Sequence, residues 1–210
     1  DVVTFAPEVS APTSLSGSWD GDAPTTGTNP TAKVYKYKVT AVDDESLEES
    51  LPSSSTSVTG EVDSEWGTDE GVDLTFSSVS GATRYNVYKE DNGVYGYIGS
   101  AEKDGSSTLN YRDDKIAPDI TDTPPKARNP FAGSGNEPTV VEYFEQRLVF
   151  ARKQTVDLSR SANFKNFTRS IPTKDNDAIQ FTVNSSKVNS IRWIVSLDDL
   201  ILMTSGGAFK

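Results

Sequence analysis

An all-β fold is what this sequence predicts, and three observations predict it. Apolar residues make up only 34% of the chain while Ser, Thr, Gly and Pro are abundant, which favours many short strands over long helices. From Val34 to Val42 the side chains alternate between Tyr35, Tyr37, Val39, Ala41 and a face bearing Lys36 and Lys38, the period of a half-buried strand. Further on, residues 140–160 and 190–209 each run as strand, polar dipeptide, strand, turn, strand.

Taken in order, Ala11 to Trp19 reads as an opening strand. The strand 34–42 enters an acidic loop carrying Asp43, Asp44, Glu45, Glu48 and Glu49, then returns after Leu51-Pro52 as a Ser/Thr-rich strand to Thr59. The two form a hairpin with an exposed tip. Strands at 72–76, 81–88, 95–98 and 108–112 follow, with Asp91-Asn92-Gly93 as a tight turn and Tyr85, Val87 and Tyr97 expected to point inward. Between residues 120 and 138 prolines and glycines break the pattern, so the chain divides into a first domain at 1–124, a linker at 125–138 and a second β region at 139–210. In that region a helix competes over 140–150, where Val140, Phe144 and Leu148 recur at every fourth residue. The repeated rhythm favours a strand meander instead. Aligning Arg147 with Leu200 gives an offset of 53, close to the spacing of propeller blades, and two unrelated hairpins are the competing account.

Charge separates the same two parts. Residues 1–124 hold 23 acids and 8 bases, a net of −15; residues 125–210 hold 8 acids and 12 bases, a net of +4, which together recover the −11 of the whole chain. The basic excess is too dilute, and too free of Lys/Arg clusters, to predict base-specific DNA recognition.

Composition also excludes chemistry. With no Cys and no His, thiol catalysis, disulfides, Ser-His-Asp triads and Cys/His metal or haem sites are impossible. No catalytic residue, cofactor or metal site is expected, and the chain is expected not to be an enzyme. The acidic groups Asp43, Asp44, Glu45, Glu48, Glu49 and Asp113, Asp114, Asp119, Asp122 lack the ligand spacing of a calcium loop and read as solvated tips. The longest apolar runs, 191–197 and 200–203, are interrupted by Arg192 and Asp198-Asp199 and fall short of the roughly 20 residues of a membrane helix, so no membrane insertion is expected. A first residue of Asp1 suggests a piece of a longer polypeptide.

Two stretches carry family resemblances. "YKYKVTAVDDESLEESLPS" resembles the last hairpin of a fibronectin type III domain, and "VDLTFSSVSGATRYNVYKEDNGVYGYIGS" resembles its earlier strands, in inverted order. That implies an immunoglobulin/fibronectin-like sandwich, built either as one permuted unit or as the end of one domain and the start of another. Residues 140–209 resemble the tail nozzle family of short-tailed bacteriophages, also called tail tubular protein B. The matching positions are Phe144, Arg147 and Leu148; Leu158, Ser159 and Arg160 leading to Phe164 and Phe167; Asp175, Asp177 and Ile179; and Val188, Asn189 and Ile191 with Trp193.

The nozzle resemblance implies a propeller-like body and a structural role in the virion. Copies of the chain, in a six-membered ring assembled in the host cytoplasm, would meet the tail adaptor and other tail proteins and let DNA pass without specific contacts. The acidic domain would face outward, available for host-surface contact. On the residues themselves, Arg147 and Arg160 are expected to pair with the carboxylates of Asp175 and Asp177, Phe164 and Phe167 to anchor neighbouring blades, and Trp193 to pack in the same core. The alternative is an extracellular adhesin or polysaccharide-binding module whose exposed Trp19, Trp66, Tyr95 and Tyr97 stack on sugars.

Overall fold

The computed structural model describes residues 9–25, 31–45, 48–125, 130–131, 134–169, 173–184 and 189–210. Linker residues 126–129 and 132–133, Ser46-Leu47 of the acidic loop and Val188 lie outside them. All regular structure among the described residues is β, in antiparallel sheets, which also decides residues 140–150 against the helix. The chain divides into two compact units, one of Glu8–Glu45 with Glu49–Pro125 and one containing Lys126–Lys210.

The N-terminal unit contains β1 (Ser16–Asp20), β2 (Ala32–Asp43), Glu49 of β3 (Glu48–Glu49), β4 (Thr56–Glu61), β5 (Gly71–Ser77), β6 (Arg84–Asp91), β7 (Val94–Glu102) and β8 (Thr108–Asp113). One sheet has the order β1-β5-β8; the other runs β3-β2-β6-β7, with β4 also on β2. Both sheets feed one core, in which Tyr35, Tyr37, Val39 and Ala41 of β2 and Tyr85 and Val87 of β6 meet Val72, Leu74 and Phe76 of β5 and Leu109 of β8. Strands from the start, middle and end of the segment thus close a single unit.

Local chemistry explains the irregular places. The returning strand of the first hairpin breaks at Leu51-Pro52, where proline cannot serve the ladder. There the Oγ atoms of Ser53 and Ser50 accept from the N–H groups of Val39 and Ala41 at 3.0 and 2.8 Å. Asn92 and Gly93 both have positive φ, 49° and 86°, in the two-residue loop closing β6 onto β7, the turn that matches strand twist. A register shift between Val87 and Tyr88 sets the inward side of β7 at Gly96 and Ile98. The expectation for Tyr97 is therefore corrected: it is half-buried and packs edge-on against Tyr88, 6.0 Å away, instead of entering the core.

In the C-terminal unit, β9 (Val140–Phe144), β10 (Arg147–Arg152), β11 (Thr155–Leu158) and β12 (Ile179–Thr182) form a four-stranded antiparallel meander. A three-stranded meander follows, made of β13 (Ile191–Ser196), β14 (Leu200–Thr204) and β15 (Gly207–Phe209). Arg147 and Leu200, aligned from sequence, each open the second strand of their meander. Val149, Ala151, Val156 and Leu158 of the first sheet share a core with Ile191, Ile194 and Leu202 of the second. On the opposite side of β10, Phe150 packs with Phe131, Phe167 and Ala178.

Candidate functional site

Arg147 is the hub around which the C-terminal motif residues gather. Glu145 and Gln146, at φ 43° and 60°, make the two-residue loop that delivers it to the start of β10, where it is buried at 9% exposure. Its guanidinium donates to the main-chain carbonyls of Ser159 and Asp177 at 2.7 and 2.6 Å and of Asp175 at 3.0 Å. The expected pairing with carboxylates is corrected for this residue. The reason lies in the turn Lys174–Asp177, closed by the Asp177 N–H on the Lys174 carbonyl, which offers carbonyls inward. The Asp177 carboxylate is taken by Arg160, 3.0 Å from Nη2, and by the Lys174 N–H at 2.9 Å. Asp175 itself is exposed. Ser159, fully buried, accepts from the Leu148 N–H at 3.0 Å and donates to the Arg160 carbonyl at 3.0 Å. Through these three main-chain bonds Arg147 works as a clamp on Ser159 and the turn 174–177.

The aromatic positions separate. Phe167 is buried, 5.2 Å from Phe131 and 5.8 Å from Phe150, with Leu148 packed on the cluster. Phe164 is 42% exposed and meets Tyr143 edge-on at 5.3 Å, and Trp193 is 68% exposed, so Trp193 is not the core residue expected. For Trp193 the cause is a bulge: the register shifts between Ile191 and Trp193, so Arg192 and Trp193 both face out while Ile191 and Ile194 face in. Phe144 packs half-buried against the shared core, and Ile179 is exposed on the edge strand β12. Asn189 lies so close to Gly206 that a Cβ there would overlap its amide.

In the N-terminal unit the aromatic platform expected for sugars is not available as imagined. Trp66 is 7% exposed, donates to the Tyr35 hydroxyl and the Glu61 carbonyl, and holds Trp19 edge-on at 4.9 Å. Trp19 and Tyr95 are half-buried. The acids are also less free than a solvated tip requires. Asp44 pairs with Arg84 at 2.7 Å, and Glu49 accepts from Thr40, Asn86 and Tyr88. Asp114 shares Arg112 with Asp20 and Asp73. Hydrogen bonds from Thr83 and Arg84 hold the Asp44 carboxyl below its ordinary range. Among the described residues no three acidic side chains are grouped to hold a metal ion.

Asp113 departs furthest from that expectation, since it is completely buried. Its Oδ2 lies 2.8 Å from Lys89 Nζ and accepts from the Tyr37 hydroxyl at 2.7 Å, while Oδ1 accepts from the Ile116 N–H at 2.8 Å. Lys89 is 5% exposed, donates to the Ile116 carbonyl at 3.1 Å and lies 5.2 and 5.3 Å from the ring centroids of Tyr35 and Trp66. Tyr35 in turn donates to Asp63, which pairs with Lys33 at 2.6 Å. Burial, with Asp113 beside it, drives the Tyr37 phenol far above its ordinary pKa. Lys89 and Tyr37 were absent from the sequence-based set. The signal was there: Lys89 continues the inward series Tyr85, Val87, and a charge on the apolar face of a strand demands a partner.

No family model matches the chain, and no curated protein matches it. The structure has a clamp of three main-chain hydrogen bonds on Arg147, two meanders that share one core and a buried Lys89–Asp113 pair; among the described residues, no helix is long and apolar enough to cross a membrane.

Proposed function

We propose that this chain is part of a structural protein of a bacteriophage tail, a nozzle-like conduit component. The observation that carries the reading is the stacking of two successive antiparallel meanders through one core, Val149, Ala151, Val156 and Leu158 against Ile191, Ile194 and Leu202. Propeller blades bury their faces in this way. The sequence resemblance over residues 140–209 adds to it. In this reading the Arg147 clamp stiffens a blade, and the part needs no reactive group. A ring of copies meets the tail adaptor and other tail proteins in the virion, and DNA passes through without specific grip, since every Lys or Arg held on phosphate would add affinity and retard it.

The N-terminal unit is read as a permuted fibronectin type III-like sandwich. Supporting this, β1-β5-β8 faces β4, β2, β6 and β7 across one core. It serves as an outward, acidic decoration. The experiment is reconstitution with the tail adaptor: a six-fold ring by electron microscopy is expected, and a chain that stays monomeric with adaptor present overturns the reading. The sugar-binding alternative loses its main platform with Trp66 buried, and glycan-array binding by the chain would restore it.

A further inference from the structure

We propose that Lys89 and Asp113 condense spontaneously into an intramolecular amide, tying β6 of one sheet to β8 of the other. Four features carry this, and none depends on the phage reading.

The first is proximity in a dry place. Nζ and Oδ2 are 2.8 Å apart, with both side chains sequestered, so the two reactants are held at high effective concentration without competing water. The second is that a proton passing along this contact converts the ion pair into amine and carboxylic acid, the two forms that react. Removing two buried charges relieves a desolvation cost that the ion pair offsets poorly. Third, the carboxyl is polarised from both sides: the Ile116 N–H on Oδ1 is placed to stabilise the oxyanion of a tetrahedral intermediate, and the Tyr37 hydroxyl on Oδ2 is placed to hand a proton to the leaving oxygen. Fourth, the Ile116 carbonyl and the rings of Tyr35 and Trp66 hold the amine on its path.

In the step, the lone pair of Nζ attacks Asp113 Cγ, giving a tetrahedral carbon. The Cγ–Oδ2 bond then breaks, and Oδ2 departs as water carrying the carboxylic proton and one proton from the nitrogen, relayed through the Tyr37 hydroxyl. The product is a neutral amide plus one water; no oxidant or metal enters.

Intact-mass spectrometry of the folded chain tests this. The expected mass is one water below that of the sequence, with a digest fragment joining the segment containing Lys89 to the one containing Asp113. Lys89→Arg, which keeps a positive partner for Asp113 without a reactive amine, and Asp113→Ala are expected at full mass. Tyr37→Phe, which keeps the ring in the core, is expected to lower the cross-linked fraction at least tenfold at early times. A wild-type chain that shows native near-ultraviolet dichroism yet keeps the full sequence mass after prolonged incubation overturns the proposal. So does a water loss that persists in Lys89→Arg.

Discussion

Arg160 and Asp177 form a 3.0 Å ion pair in which the carboxylate is almost wholly buried, leaving only the main-chain carbonyl of Asp177 for Arg147. Two arginines thus read the same aspartate through different atoms. This division ties the described residues 159–169 and 174–178 into the C-terminal unit although these contribute no strand of their own.

Replacing Arg147 tests the clamp. In Arg147→Met two buried carbonyls and one part-buried carbonyl lose this donor, and each buried loss costs about 1–3 kcal/mol. A destabilisation of about 3 kcal/mol or more is expected in chemical denaturation of the C-terminal unit. Arg147→Lys is expected to recover only part of it, because one ammonium cannot reproduce the fork.

Trp193 and Ile194 are neighbours in sequence with opposite consequences. Trp193→Ser removes a side chain that is mostly in water and is expected to change stability by less than about 0.5 kcal/mol. Ile194→Ala opens a cavity between the sheets and is expected to cost about 2–4 kcal/mol. Acrylamide quenching should likewise reach Trp193 and spare Trp66. Equal costs in the two variants would show that the bulge is misplaced.

Gly60 lies under Trp19, where an added Cβ would come within 2.5 Å of the indole. Gly60→Ala is expected to destabilise the N-terminal unit by about 1–3 kcal/mol through overpacking, read as a lowered melting temperature.

The pH dependence has two edges. The folded pKa of Asp63 is lowered because hydrogen bonds from Lys33 and Tyr35 outweigh its burial, and that of Asp44 is lowered by Thr83 and Arg84. Groups depressed in the folded state stabilise it above their unfolded pKa, here near 3.8, and the contribution disappears as pH falls through the lower folded value. At the alkaline edge, burial and the nearby Asp113 push Tyr111 up to about 12 from 10.0. Its contribution is complete below pH 10.0 and is lost as pH rises through about 12. Thermal melts should therefore fall off below about pH 4 and again above about pH 10. Phenolate absorbance should show tyrosines that ionise only with unfolding.

Much of this protein was legible in its residues because strand alternation and turn chemistry are local. The sequence by itself determined the all-β class, the inward row Tyr35, Tyr37, Val39 and Ala41 and the Asn92-Gly93 turn, and it named Asp177 among the candidate partners of Arg160. Tertiary structure alone decided which way Trp193 points, since a bulge that inserts one residue reverses every later side chain on the strand. It also decided that Arg147 would meet carbonyls, because a turn some thirty residues away, not the residue types, sets which atoms face it. The same holds for Asp113. In sequence it is one acid among several in a strongly acidic stretch; the closure of two sheets removes it from water and sets it against Lys89, and only that desolvation gives the pair its chemistry.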